Sequence, residues 1–161
     1  MPNIIIGFSR PKSKLAVIAH LIRLCEGRTP YSHVYLKWHS DSIDRDLIYE
    51  AKGSGINFTS PTYFKEHVVV VKEFSLEVSE ETKTKIMQYA VDNAREKYGV
   101  LQILGIATVR LLRKLNINIK NPFTAGMVCS ELAGAVLNNV VGVKVEDLDL
   151  AGPADIYKIL E

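Results

Sequence analysis

The chain is poor in cysteine, with only Cys25 and Cys129 among its 161 residues. Neither belongs to a CxxC pair or to a cysteine–histidine cluster with the spacing of zinc ligands. This scarcity argues against a disulfide framework and against a structural zinc site. We therefore expect no metal and no other cofactor in this protein.

Long apolar runs are also lacking, as is a secretory signal. The first residues, MPNIIIGFSRPKSK, place apolar residues before basic ones, which is the reverse of a signal peptide. The longest apolar candidate, ILGIATV at 103–109, is much shorter than the roughly 18 residues that a spanning helix needs. We expect no transmembrane segment and a cytoplasmic protein, or a virion-associated one if the source is a phage.

Neither sign of charge dominates, since 20 Lys and Arg residues stand against 18 Asp and Glu residues and leave a net charge of +2. This balance gives no reason to expect a nucleic-acid partner. Hydrophobic residues make up 47% of the chain and charged residues 24%, a mixture typical of globular proteins rather than disordered ones. We treat residues 1–161 as a single domain, because this length supports one core.

Hydrophobic periodicity predicts a mixed order of strands and helices. An apolar helical stripe from Leu15 to Cys25 ends at Gly27 and makes Cys25 a packing residue. A helix from about 80 to 97 follows Ser79, whose hydroxyl suits an N-cap. The predicted strands are 3–8, 31–38, 46–52 and 67–74, with 55–58 as a short candidate, and further helices are 100–115, one from Cys129 and one from Pro153. This order predicts an α+β fold with an antiparallel sheet packed against helices.

The stretch AGMVCSELAGAVL (125–137) allows two interpretations of Cys129. The cysteine follows a loop that ends at Gly126, so it should lie in the first turn of a helix. Unpaired backbone N–H groups and the helix dipole stabilise a thiolate there. It also borders the apolar row of Val128, Leu132 and Val136, where a packing cysteine would fit equally well.

A cysteine nucleophile needs a histidine to accept its proton and a third group to orient that histidine. Among the four histidines, only His33 lies mid-strand, in YSHVYLKW, on the face opposite Val34, Leu36 and Trp38. His33 and Glu50 are equally far from the middle of the polar loop between their strands. In a simple antiparallel hairpin they are cross-strand neighbours with Cβ atoms about 5 Å apart. The alternative is that Glu50 is a solvated charge on an exposed face.

Together, YSHVYL, IYEA and VCSEL resemble the permuted NlpC/P60, papain-like superfamily, with its YiiX-like and LRAT-like thiol hydrolases and acyltransferases. In permuted members the histidine strand precedes the cysteine helix, as it does here. The resemblance runs from about Ile4 to Leu137 and extends to small uncharacterised members from phages and bacteria. It implies a circularly permuted papain-like fold.

The resemblance also implies roles for individual residues. Cys129 is the expected nucleophile, His33 the base and Glu50 the orienting acid. Tyr98, in KYGVLQ, is similar to a family tyrosine that touches the oxyanion or the substrate. Tyr35, on the His33 face of its strand, is a second candidate for such a contact.

Three functions are compatible with these residues. The first is a cysteine amidase or endopeptidase that acts through an acyl-enzyme on a peptide or peptidoglycan-like substrate. The second is a lipid acyl thioesterase or acyltransferase at a membrane surface, suggested by the apolar segment 100–115 with its basic end. That segment is equally explained as a core helix with cations at its C-terminus. The third is a non-catalytic phage structural or binding protein on the same scaffold.

Overall fold

The computed structural model describes residues 2–14, 16–123 and 125–161, so Leu15, at the start of the predicted stripe, lies outside the described residues. Within these ranges the chain forms five β-strands and six α-helices. In chain order they are β1 (Asn3–Pro11), α1 (Val17–Cys25), β2 (His33–Ser40), β3 (Arg45–Lys52), β4 (Gly55–Thr59), α2 (Pro61–His67), β5 (Val68–Glu77), α3 (Glu80–Asp92), α4 (Val100–Lys114), α5 (Cys129–Val136) and α6 (Pro153–Leu160). A π-helical turn, Leu137–Val141, extends α5, and a 3₁₀ turn spans Leu148–Leu150.

The strands form one antiparallel sheet in the order β4–β3–β2–β1–β5. The first strand of the chain lies between β2 and β5, so Ile6 is opposite Leu36 on one side and Phe74 on the other. The strands β2, β3 and β4 follow one another as a meander with short connections. The predicted α+β class with an antiparallel sheet is confirmed.

The main core lies between one face of the sheet and α5. Val34, Leu36 and Trp38 of β2 are buried there with Leu132 and the other apolar residues of α5, as the alternation in YSHVYLKW predicts. The second face of the sheet is also covered, because α2 places Phe64 against Tyr35, with ring centroids 4.6 Å apart. This cover explains why the sheet has few exposed apolar positions near β2.

Helix α3 is shorter than its sequence predicts. Its start is confirmed, since Ser79 Oγ accepts a hydrogen bond from the backbone N–H of Thr82 at 3.1 Å. The helix ends at Asp92 rather than near residue 97. The following residues bond to the edge of the sheet instead, with Ile56 N–H donating to Glu96 O at 3.0 Å and Arg95 N–H to Ile56 O at 2.9 Å. Backbone pairing with β4 replaces the last helical turn.

Helices α1 and α4 both expose apolar side chains. No side chain of α1 is fully buried, and Cys25 at its end is half-buried. Helix α4 buries Ile103, Ile106 and Val109 but exposes three leucines on its other side: Leu101, Leu104 and Leu111. None of the helices in the described part of the chain is long and apolar enough to cross a bilayer.

Candidate active site

Cys129 is the first residue of α5 and is 3% exposed. The preceding residue, Val128, has an extended backbone, and regular helix starts at Cys129. Ser130 fixes the first turn by donating its hydroxyl to Ala151 O at 2.6 Å. The thiol therefore lies at a helix N-terminus, where backbone N–H groups have no intrahelical acceptor.

The segment before α5 pairs with the segment before α4. Met127 N–H donates to Lys97 O at 2.9 Å, and Gly99 N–H donates to Met127 O at 3.2 Å. Gly126 permits this approach, because its φ is +91° and an added Cβ would lie 2.7 Å from Lys97 O. The pairing places Tyr98 opposite Met127 and beside the start of α5.

His33, the first residue of β2, connects Cys129 and Glu50. Its Nε2 is 2.9 Å from Glu50 Oε2, and the imidazole lies close enough to Cys129 for the charge of that residue to act on it. Burial alone would lower the pKa of His33, but the charge of Cys129 and the Glu50 carboxylate outweigh it and raise the pKa to about 10. The structure thus brings together the three residues of the predicted triad around an imidazole that is protonated at neutral pH.

The predicted register of the His33–Glu50 pair is wrong by two residues. Leu36 is opposite Tyr49 and Ser40 is opposite Arg45, so the turn occupies 41–44. His33 and Glu50 are therefore diagonal neighbours on their strands rather than direct ones. A shift of two keeps every side chain on its own face, and a glutamate is long enough to span the diagonal. The side chains of His33 and Glu50 are therefore paired even though the predicted register is wrong.

Glu50 is buried, so its interpretation as a solvated surface charge is wrong. Its Oε1 accepts hydrogen bonds from Lys52 Nζ at 2.8 Å and from Thr59 Oγ1 at 2.7 Å, while Oε2 is bonded to His33. Burial tends to raise the pKa of Glu50, but His33, Lys52 and Thr59 lower it to about 2. The carboxylate is ionised at any pH at which the protein would work.

Lys52 and Thr59 are contacts of the site that sequence reasoning missed. Lys52 could have been found, because it lies two residues after Glu50 and hence on the same face of β3. Thr59 has no local signal, since its position depends on how β4 pairs with β3.

Tyr98 lies at the site, as predicted. Its ring is half-buried, and burial followed by the charge of Cys129 raises its pKa well above the ordinary value. The phenol of Tyr98 is therefore neutral, and it lies close enough to Cys129 for the charge of that residue to act on it. It shares a groove with His33 and Glu50.

Tyr35 does not join the site, although it lies on the predicted face of β2. Its ring crosses Gly7 of β1, where an added Cβ would lie 2.1 Å from the tyrosine ring. The hydroxyl donates to Glu73 Oε1 at 2.6 Å. The missing side chain at Gly7 lets the tyrosine turn toward β5, away from Cys129, so the expected contact of Tyr35 with substrate is not supported.

Two spaces lie beside His33 and Cys129, and residues of α1 line both of them. A groove of about 510 Å³ is lined by His33, Glu50, Lys52 and Tyr98 together with apolar side chains, mainly Val17, Ile18, Ile22, Val68 and Val100. Behind it, Cys129 borders an apolar cavity of about 40 Å³ between α1, α4 and α5. Ile22 of α1 lines both spaces. The position of α1 therefore determines how much open space lies next to the thiol.

Among residues 2–14, 16–123 and 125–161, no group of three or more His, Cys, Asp or Glu side chains is placed to hold a metal ion. The chain matches no protein-family model, no curated protein and no solved structure.

Proposed function

We propose that the chain is a cysteine hydrolase in which Cys129 is the nucleophile, His33 the general base and Glu50 the group that orients His33. The observation that carries the proposal is the position of one imidazole: His33 is hydrogen-bonded to the buried carboxylate of Glu50 and lies next to Cys129, whose charge raises the pKa of His33. A packing cysteine needs neither partner. The helix N-terminus beneath Cys129 adds to the stabilisation of a thiolate.

We further propose that the fold is a circularly permuted papain-like fold. The chain order supports this: the strand with His33 comes first, β3 with Glu50 follows, and the helix that begins at Cys129 comes near the C-terminus. The packing of α5 on an antiparallel sheet is compatible with the same arrangement. A solved structure in complex with an acyl inhibitor would test whether the substrate lies where this fold requires.

The proposed reaction has two steps. In the first, the Cys129 thiolate forms a bond to the carbonyl carbon of the substrate, and His33 gives its proton to the leaving amine or alcohol. In the second, neutral His33 takes a proton from water, the water oxygen attacks the thioester, and the Cys129 thiolate leaves. The backbone N–H of Cys129 and the hydroxyl of Tyr98 are the candidate donors to the oxyanion.

For the substrate, an amide in a peptide or peptidoglycan-like polymer is the first candidate. A lipid acyl ester or thioester is the second, and a specific observation favours it: the groove is mainly apolar, and Val17 on its rim is 76% exposed. The basic end of α4 supports the lipid less, because Arg110 bonds to Leu150 O and Asp155, and Arg113 pairs with Asp147. Flotation with anionic liposomes separates the two substrate classes.

The reaction class can be tested before the natural substrate is known. The protein is incubated with p-nitrophenyl acetate and p-nitrophenyl octanoate, and the acyl group is located by peptide mass spectrometry. We expect a thioester on Cys129 that is absent in Cys129→Ala and retained in Cys25→Ala. An unmodified Cys129, or equal modification of both cysteines, would favour the third function, a binding protein without catalysis.

A further inference from the structure

The carboxylate of Glu50 accepts more hydrogen bonds than it would need only to orient His33. His33 occupies Oε2, while Lys52 and Thr59 share Oε1. Lys52 Nζ also lies 3.1 Å from Thr59 Oγ1 and 5.3 Å from the centre of the Tyr63 ring. These contacts hold the ammonium in one place against the carboxylate, on the wall of the groove.

The charges around His33 nearly balance when Lys52 is counted. In the proposed resting state, the thiolate of Cys129 and the carboxylate of Glu50 are negative, and the imidazolium of His33 and the ammonium of Lys52 are positive. The neighbouring phenols, Tyr98 beside Cys129 and Tyr35 near Glu50, stay neutral because their pKa values are raised. Without Lys52 the buried cluster would have an excess negative charge.

This balance matters most after acylation. Forming the thioester removes the thiolate, so Glu50 becomes the main group that holds the proton on His33. Deacylation requires neutral His33, because the imidazole must accept a proton from water. A Glu50 whose full charge acted on the imidazolium would make that neutral form scarce.

We propose that Lys52 is a positioning residue of the site, whose ammonium offsets part of the Glu50 charge so that His33 can release its proton during deacylation. The inference rests on the proposed function, in which Cys129 forms an acyl-enzyme. Thr59 keeps the shared oxygen turned toward Lys52, which leaves Oε2 for His33. Lys52 itself touches neither nucleophile nor substrate in this role.

The sheet offers a matched control. Lys37 Nζ lies 2.7 Å from Glu73 Oε1 on the same face, in a lysine–carboxylate pair that lacks a histidine. A merely structural lysine at position 52 should behave like Lys37. Lys52→Met removes the charge and keeps much of the aliphatic chain, Lys52→Arg keeps the charge, and Lys37→Met removes an equivalent charge elsewhere.

The first measurement is the titration of His33 by NMR with ¹³C-labelled histidine. It uses a Cys129→Ala background, which imitates the loss of the thiolate on acylation. We expect Lys52→Met to raise the titration midpoint of His33 by about half to one pH unit, because a nearby positive charge is removed. Lys52→Arg and Lys37→Met should leave the midpoint where it is. An unchanged midpoint in Lys52→Met would overturn the proposal.

The second measurement separates the two chemical steps with p-nitrophenyl acetate. Lys52→Met should keep its acylation burst but deacylate about three- to tenfold more slowly, because the fraction of neutral His33 falls with the shift in midpoint. Lys52→Arg should restore deacylation. Equal slowing of both steps would overturn this role. If wild-type protein forms no acyl-enzyme, the proposed function fails and the role of Lys52 fails with it, whereas normal acylation with an unmoved His33 titration rejects Lys52 alone.

Discussion

Two carboxylates on one face of the sheet have similar partners and different surroundings. Each accepts hydrogen bonds from one lysine and one hydroxyl: Glu50 from Lys52 and Thr59, and Glu73 from Lys37 and Tyr35. The two differ in burial, because Glu50 is buried whereas a third of the Glu73 side chain is exposed. They also differ in one partner, because Glu50 is bonded to a histidine and Glu73 is not. A satisfied carboxylate is thus ordinary in this sheet, and the proposed chemistry depends on the imidazole next to Glu50 and Cys129.

Removing the histidine should have the largest effect, because it takes away the partner that distinguishes Glu50 from Glu73. His33→Ala deletes the base and the cationic partner of the thiolate, which leaves Glu50 with the same kind of network as Glu73. We expect turnover of p-nitrophenyl acetate to fall by on the order of 10³-fold or more. His39→Ala changes an exposed histidine near the β2–β3 turn and should keep wild-type turnover. Equal loss in both variants would mean that His33 has no special role.

A sharper comparison neutralises the two carboxylates in turn. Glu50→Gln keeps the size and one acceptor but loses the charge that supports the imidazolium, so turnover should fall by about 10- to 1,000-fold. Glu73→Gln should leave turnover within about twofold of wild type, because no catalytic group contacts Glu73. Initial rates with a common ester substrate measure both. Wild-type turnover in Glu50→Gln would reduce Glu50 to a structural acceptor.

How far the sequence predicts this site depends on the range of the interactions involved. Cys129 at a helix start and His33 and Glu50 on one face follow from local periodicity, and the structure agrees. The register does not follow, because the length of the turn at 41–44 decides it. Thr59 and the early end of α3 depend on pairing with β4, between segments that are distant in the chain.

Tyr35 is a second case in which contacts between distant segments cannot be predicted from local periodicity. Alternation along β2 correctly assigns it to the His33 face. Its direction on that face is decided by Gly7 on another strand, whose lack of a side chain lets the ring cross β1. Residues that share a face are therefore predictable from one strand, whereas the partners they reach are not.

The smallest expected effect concerns stability against pH. The folded-state pKa of Glu50 is about 2, below the ordinary 4.5, so acid favours the unfolded chain. This contribution is present above about pH 4.5 and is lost as pH falls through 2, with a magnitude on the order of 3 kcal/mol. Glu73 also has a lowered pKa, but its exposure makes its contribution smaller.

Urea unfolding of wild type, Glu50→Gln and Glu73→Gln between pH 3 and 7 measures this difference. Glu50→Gln should flatten the acid decline of the unfolding free energy more than Glu73→Gln does. His33 acts at the opposite end, because its raised pKa gives stability that is present below about pH 6.5 and lost as pH rises through about 10. An acid decline that is identical in all three proteins would show that Glu50 is no more strongly held than Glu73.

The central claim is that His33 maintains Cys129 as a thiolate, and the rate of alkylation against pH tests it most directly. Wild type and His33→Ala are treated with iodoacetamide from pH 5 to 9, and each cysteine is quantified by peptide mass spectrometry. We predict that buried Cys129 is alkylated at a lower pH than half-buried Cys25, because only Cys129 has a neighbouring histidine and a helix N-terminus that favour the thiolate. In His33→Ala the profile of Cys129 should move toward that of Cys25. Identical profiles for the two cysteines in wild type, or a Cys129 profile unaffected by His33→Ala, would contradict the claim.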